Sequence, residues 1–333
     1  MKMNRARIAP SGRRRMALGS ISSSLARIGR HRGVHLLLLF VLGSNYSLLF
    51  AVNKLAVAHG VPNVAYVFWH SLAAGLFLLV LCALRRDLPR FDWLHLRTYL
   101  VWGLLTTAAP ISLLTYVAPH LPAGVITMVL VLVPLFTYVL SLIFRADRFR
   151  PLGVVGILCG LAGVLLVIVP DVGLPSRDMV GWVLLALLGP IMFGLVTVFA
   201  GKYRPPAASS LNLACGLLLA SAVMLAPVMV GLGQTYVFPG GDVLGDLCIL
   251  YAGLLTAWVF FLFLEFVRLA GPVFVTQHNY IATLSGFGWG VAFFDEGYSA
   301  YIWGATALMF VGLGLLNLGL WLDARRARAS IAS

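Results

Sequence analysis

Residues 121–148 read LPAGVITMVLVLVPLFTYVLSLIFRADR, and the placement of charge in this stretch decides the fold. No charged side chain interrupts Leu121 to Phe144, after which Arg145-Ala146-Asp147-Arg148 gathers three charges into four positions. At about 1.5 Å per helical residue, a run of that length crosses a hydrocarbon layer of about 30 Å. Its apolar residues are continuous and do not alternate with polar ones, so it reads as a membrane-spanning helix and not as a barrel strand.

The pattern repeats in both directions. The chain of 333 residues is 61% hydrophobic and 11% charged, with a mean hydropathy of +0.96. Soluble domains carry about a quarter charged residues, and this much apolar surface could not be covered in water. A fully aqueous enzyme and a soluble nucleic-acid-binding domain are both excluded. Ten spans are expected, at 35–53, 63–84, 98–118, 121–144, 152–170, 180–200, 209–231, 244–267, 271–294 and 300–322. Short loops leave no room for a second soluble domain. Residues 1–33, Arg- and Ser-rich and free of acid, are expected to be a disordered cytoplasmic tail, and 323–333 a second basic cytoplasmic tail.

Lys and Arg number 24 against 11 Asp and Glu, a formal charge of +13. If residue 1 is cytoplasmic and ten spans follow, the cytoplasmic segments hold nine basic residues before Gly33, then Arg85, Arg86, Arg90, Arg97, Arg145, Arg148, Arg150, Lys202, Arg204, Arg268, Arg325, Arg326 and Arg328. That is 22 of the 24, and only Lys54 and Arg177 fall outside. Basic residues concentrate on the cytoplasmic side of membrane proteins, so both termini are expected there. The four cysteines, Cys82, Cys159, Cys215 and Cys248, lie within or at the ends of spans without ligand spacing and read as small packing residues; no metal or cofactor is expected.

An offset of 148 residues superposes Val52-Asn53-Lys54 on Ala200-Gly201-Lys202, Asp147 on Asp295 and Gly156 on Gly304. Each half then holds five spans, an odd number, so the second copy enters the membrane from the opposite side. The fold class is therefore all-α and polytopic, with ten transmembrane helices as two inverted five-helix repeats, 34–178 and 179–322. Transporters with such repeats hold cargo near the bilayer midplane and rock one unit against the other.

The chain resembles the drug/metabolite transporter superfamily, EamA type, over residues 35–322. The resemblance rests on Gly43-Ser44-Asn45-Tyr46 with Lys54 closing the first helix, Pro62 before the second, and Leu121-Pro122-Ala123-Gly124 opening the fourth with Pro134 inside it. It rests also on the acidic turn at Asp147 with Gly156 and Gly163 following, and on its echo at Asp295-Glu296 with Gly304 and Gly312. Asp147 stands where the family commonly has Glu, His70 where it commonly has Arg in the second helix, and Ala282 lies opposite Pro134 in the second repeat. The resemblance implies a carrier, commonly an exporter, of small metabolites or drugs, often amino acids, in a bacterial inner (plasma) membrane.

Polar groups at membrane depth require a partner, a cavity or a function. Asn45 and Tyr46 mark the middle of the first span, Trp69 and His70 that of the second, and Pro110, Pro134 and Pro190 lie near the middles of the third, fourth and sixth. Proline frees a backbone carbonyl, so three at one depth suggest helix breaks or gating elements around a cavity, although each read alone is a harmless kink. In the ninth span Thr276, Asn279, Tyr280 and Thr283 fall within about 100° of one another, with Gln277 at the margin and His278 directed away as a packing residue. With Tyr116 and Trp258 these residues are the candidate substrate contacts; each aromatic also reads as helix or lipid packing. His70 and Glu265 are the titratable candidates for proton coupling, Glu265 alternatively pairing with Arg268 one turn on.

No Lys or Arg lies in the central part of any span, which disfavours multiply anionic cargo and favours neutral, zwitterionic or amphipathic molecules. The expected partners are that small-molecule cargo and the lipid bilayer, without nucleic acid, the protein being a monomer or homodimer. A membrane enzyme would need a set such as HExxH or a Ser-His pair in reach. Ser285 and His278, seven residues apart on one helix, are separated by about 10 Å along its axis and form no such pair. A scaffold or receptor would need a larger soluble part. A reporter fused after Ser333 is expected to read out in the cytoplasm; a readout on the other side would overturn the ten-span topology.

Overall fold

The computed structural model describes residues 32–168, 176, 178–206, 208–239, 242–270 and 278–332. Gln277 and the expected disordered tail up to residue 31 lie outside the described residues, as do Arg177 and the start of the ninth span. Among the described residues the chain is helical and forms ten long helices: α1 (Arg32–Ala58), α2 (Asn63–Arg85), α3 (Trp93–His120), α4 (Ala123–Ile143), α5 (Pro151–Ile168), α6 (Met179–Lys202), α7 (Ser210–Gly231), α8 (Val243–Ala270), α9 (His278–Phe294) and α10 (Ala300–Ala332). Eight of them contain stretches long and apolar enough to cross a membrane, α5 contributes a shorter apolar helix, and α9 is described for 17 residues. Helices are what hydrocarbon permits, because each backbone N–H finds its acceptor within its own segment.

Three boundaries differ by five residues or more from the hydropathy reading, and the first span, expected to end at residue 53, runs on to Ala58. The third span starts at Trp93 and not at residue 98, because Asp92 precedes a helical turn that hydropathy scores as loop. The tenth runs past residue 322 to Ala332, since Ala and Arg in DARRARASIA are strong helix formers outside the apolar layer as well as in it.

Three spans are internally irregular, each just before a proline. In α3 a π turn over Leu104–Ala108 precedes Pro110; in α4 a 3-10 turn over Leu130–Leu132 precedes Pro134; in α6 the regular helix breaks at Leu187 ahead of Pro190. The residue four before each proline is Thr106, Leu130 or Ala186, whose carbonyl can receive no bond from the missing N–H. The altered turns sit where that bond is lost.

We call the face where α1 begins and α10 ends the near face and the opposite one the far face. Helices α1 and α9 run parallel, and glycine lets them approach: a side chain at Gly43 would meet the His278 carbonyl oxygen at 2.6 Å. The Ser44 and Ser285 hydroxyls are 3.0 Å apart across the same contact, and Trp289 Nε1 donates to the Ser44 carbonyl at 3.3 Å. α4 crosses α9 antiparallel, with Gly286 against Thr127 and Thr283 Oγ1 donating to the Thr127 carbonyl at 3.1 Å. α5 and α10 meet through the facing backbones of Gly156 and Gly312, and α2 meets α7 at Gly75. α6 lies along α4, α8 along α2, and α7 beside α3, where Ser221 donates to the Gly103 carbonyl at 3.0 Å. Adding five to the helix number, or subtracting five, maps this set onto itself: α1 with α9 becomes α6 with α4, and α2 with α8 becomes α7 with α3. These contacts follow the rule for membrane helices, in which small residues permit close approach where the hydrophobic effect supplies no drive.

Candidate functional site

A cavity opens between α1, α3, α4, α6, α8 and α9, holding about 570 Å³ when space open to solvent is counted. Leu42 and Tyr46 line it from α1, Thr106 from the π turn of α3, and Val133 from the break in α4. Phe193, Val196 and Thr197 come from α6, Val259, Phe260 and Phe263 from α8, and His278 and Asn279 from α9. The two helix breaks and the two polar residues at the start of α9 therefore face one space. Tyr46 is the central aromatic: its ring stands edge-on to Phe50, Phe193 and His278, at 5.5, 6.4 and 5.3 Å between ring centres. Thr106 Oγ1 is turned back onto the Trp102 carbonyl at 2.5 Å and Thr197 Oγ1 onto the Phe193 carbonyl at 2.7 Å, so both hydroxyls spend their protons within their own helices.

Of the residues singled out in the sequence, the structure brings Tyr46 and Asn279 to this cavity. Asn45 donates to the Val41 carbonyl of its own helix at 2.7 Å. Trp69 donates to the Tyr236 carbonyl at 2.8 Å and packs on Phe238, tying α2 to the loop before α8. His70 is buried with Nδ1 3.0 Å from the Tyr66 carbonyl, where α8 crosses α2 at Gly253. Tyr116 lies against Trp182 on the far face, and Trp258 is half exposed on the outside of the bundle. Tyr280 packs edge-on to Phe310 and its hydroxyl accepts from Asn317 at 3.3 Å, while Thr283 serves the α4–α9 crossing. Glu265 is part-buried in the last third of α8; the side chain of Arg268 lies outside the described residues. His278, expected to point away from the polar cluster, faces the cavity beside Asn279, because the cavity meets α9 at its first turn and not on the Tyr280 side. Thr106 and Val133 were missed, yet each lies within four residues of a mid-span proline, which was the signal that could have found them.

A second polar site lies at the far face. Lys54, one turn before the end of α1, places Nζ 2.5 Å from Glu296 Oε1 in the turn between α9 and α10. Glu296 Oε1 also accepts from the Ala123 N–H at 2.9 Å, Oε2 from the Gly124 N–H at 3.5 Å, and Oε2 from the Tyr298 hydroxyl at 2.6 Å. The Lys54 ammonium lies 4.5 Å from the centre of the Phe294 ring. Gly124 and Gly290 accept the Tyr298 ring and hydroxyl where any side chain would collide. Burial raises the Glu296 carboxyl, but hydrogen bonds from Lys54, Tyr298 and Ala123, with the charge of Lys54, outweigh it and hold the group below the ordinary carboxylate range. The Tyr298 phenol is pushed up by burial and by its bond to that carboxylate.

The fold is that of a polytopic membrane protein with a cavity among its helices, and comparison with known proteins points to a membrane transporter. Residues 33–169 match the model of the EamA-like transporter family. The chain is 29% identical over 259 residues to "Uncharacterized inner membrane transporter YedA" of Escherichia coli, covering 75% of this chain and 80% of that protein. It is 28% identical over 155 residues to "Uncharacterized transporter YvbV" of Bacillus subtilis, covering 45% of this chain and 48% of that one. A protein crystal structure superposes with a TM-score of 0.57 at 20% identity, over 84% of this chain and 96% of that chain, a likeness of fold. The first half of the chain is thus similar to EamA-like transporters, and most of its length is similar to a protein named as an inner membrane transporter.

A carboxyl held below its unfolded value adds stability above that value, and the contribution is lost as pH falls through the depressed folded one. The difference in melting temperature between the protein and its Glu296→Gln variant should therefore be constant at neutral pH and shrink only on acidification below about pH 4. A difference independent of pH down to 3 would contradict an ionised Glu296.

Proposed function

We propose that the protein is a secondary-active exporter of small neutral, zwitterionic or amphipathic metabolites, amino acids or related compounds, working by alternating access around the cavity at Tyr46 and Asn279. The observation that carries this reading is the lining: aromatic and aliphatic walls, an amide at Asn279 and an imidazole at His278, and no Lys, Arg, Asp or Glu among the described lining residues. Apolar walls with a few placed polar groups suit a small organic molecule, and a multiply anionic cargo would call for fixed positive charge. A helix packing that is preserved when the numbers shift by five supports two inverted repeats, 34–178 and 179–322, and the interrupted spans α3, α4 and α6 supply the discontinuous helices such transporters use at the site. The 22-to-2 division of basic residues supports cytoplasmic ends and a cytoplasmic near face, and the likeness to a protein named as an inner membrane transporter supports a bacterial inner membrane. No covalent step is needed for this function. A small hydrophobic cation is the second cargo the site favours, because the rings of Tyr46, Phe193, Phe260 and Phe263 border the cavity.

Purified protein in liposomes, offered a panel of labelled amino acids and hydrophobic cations with and without a pH gradient, tests the reading. Counterflow of at least one member is expected, reduced at least about tenfold by Asn279→Leu or Tyr46→Ala and within about twofold of the parent in Trp258→Ala, which faces outward. Transport of nothing in the panel, or transport indifferent to Asn279 and Tyr46, would count against it.

A further inference from the structure

We propose that Lys54, Glu296 and Tyr298 form the lock of the far-face gate, broken and remade once in each transport cycle. The proposal rests on the alternating-access reading and assigns the residues that hold one of its two states.

The cavity belongs to the near half of the molecule. Phe263 lies in the last third of α8, Val196 and Thr197 in the last two turns of α6, and His278 and Asn279 in the first described turn of α9, all on the near side. From Tyr46 to Lys54 is eight residues along α1, about 12 Å toward the far face. Across that interval α4 and α9 cross closely at Thr127 and Gly286, and Asn53 of α1 donates to the Thr115 hydroxyl of α3 at 3.2 Å. Above them Glu296 ties together the end of α1, the start of α4 and the turn after α9. The three ends must separate if cargo is to leave on this face, and the carboxylate holds all three.

The chemistry suits a lock better than a permanent brace. The Lys54 and Glu296 side chains are 22% and 10% exposed, so both ions are largely desolvated, and a buried ion pair adds little net stability over an apolar one. When the face opens, water reaches both groups and repays the lost bond, which keeps the two states close in free energy. An apolar contact at the same place would be opened only against the full cost of exposing it.

On the opposite face the equivalent lysine does not join the acidic turn. Under the 148-residue offset Lys202 corresponds to Lys54 and Asp147 to Asp295, next to Glu296. Lys202 Nζ donates to the Phe144 carbonyl at 3.1 Å, and Asp147 pairs with Arg150 of its own turn at 2.7 Å. The near-face lysine thus rests on the end of α4 without joining the acidic turn, as expected where that face is open. Closure of the near face would bring Lys202 onto Asp147 as the far-face pair parts.

The test needs no cargo, so it can fail while transport stands, and transport can fail while it holds. With Cys82, Cys159, Cys215 and Cys248 replaced by serine, Thr106→Cys puts one thiol in the cavity. A membrane-impermeant maleimide is added from either face, in right-side-out and inverted vesicles, and labelling is counted per inserted molecule. With the lock intact, labelling from the far face should be at least about tenfold slower than from the near face. Lys54→Met and Glu296→Gln should each raise the far-face rate about tenfold or more, Lys54→Arg should keep protection, and Tyr298→Phe should fall between. Far-face labelling that is fast at the outset, or unmoved by Lys54→Met and Glu296→Gln, overturns the proposal. If those two do not accumulate in the membrane, Tyr298→Phe decides, and an unchanged rate overturns it.

Discussion

A carboxylate held away from bulk water must be surrounded by donors, because neither lipid nor apolar side chains can solvate it. Glu296 meets that demand with an ammonium, a phenol and two backbone N–H groups drawn from three places in the chain. Its donors can converge only if α1 ends, α4 begins and α9 turns at one point. That convergence requires glycine at 124 and 290, where the Tyr298 side chain lies against the backbone, and Phe294 beneath the Lys54 ammonium. The seal on the far face, and the displacement of the cavity toward the near one, are two views of this single cluster.

The same intolerance of unpaired polar groups shapes the interior of the spans. Pro110 and Pro134 each free a carbonyl, and the chain answers with a π turn in α3 and a 3-10 turn in α4, beside the cavity. A regular helix would present a smooth wall there. Interrupted ones bring Thr106 and Val133 to the cavity wall. The α5–α10 contact, by comparison, is built on facing glycine backbones, and the cavity draws no residue from it.

Hydropathy is a local property, so the positions of the helices could be read from the sequence. Two boundaries that moved, at Trp93 and Ala332, are those where helix propensity continues outside the apolar layer. Side-chain partners are not local. A helical wheel groups Asn279 with Tyr280 and Thr283, yet it does not say which neighbour each meets. Thr283 turned to α4, Tyr280 to α10, and the cavity took Asn279 with His278 instead. Mid-depth position alone was a poor guide for Trp258, which faces outward, and for His70, which found a carbonyl on its own helix. Lys54 and Glu296 are 242 residues apart, and a pattern did precede their pairing: one of the two basic residues outside the near face, and an acidic turn on the same side.

The most direct measurement is the distance between spin labels at Ala58→Cys, at the exposed end of α1, and Gly297→Cys, in the turn that carries Glu296, with the native cysteines replaced. In liposomes, pulsed dipolar spectroscopy should give a dominant short distance and a minor longer one, the longer becoming the major component in Lys54→Met. A single distance that Lys54→Met leaves unchanged would contradict a far face held shut by Glu296.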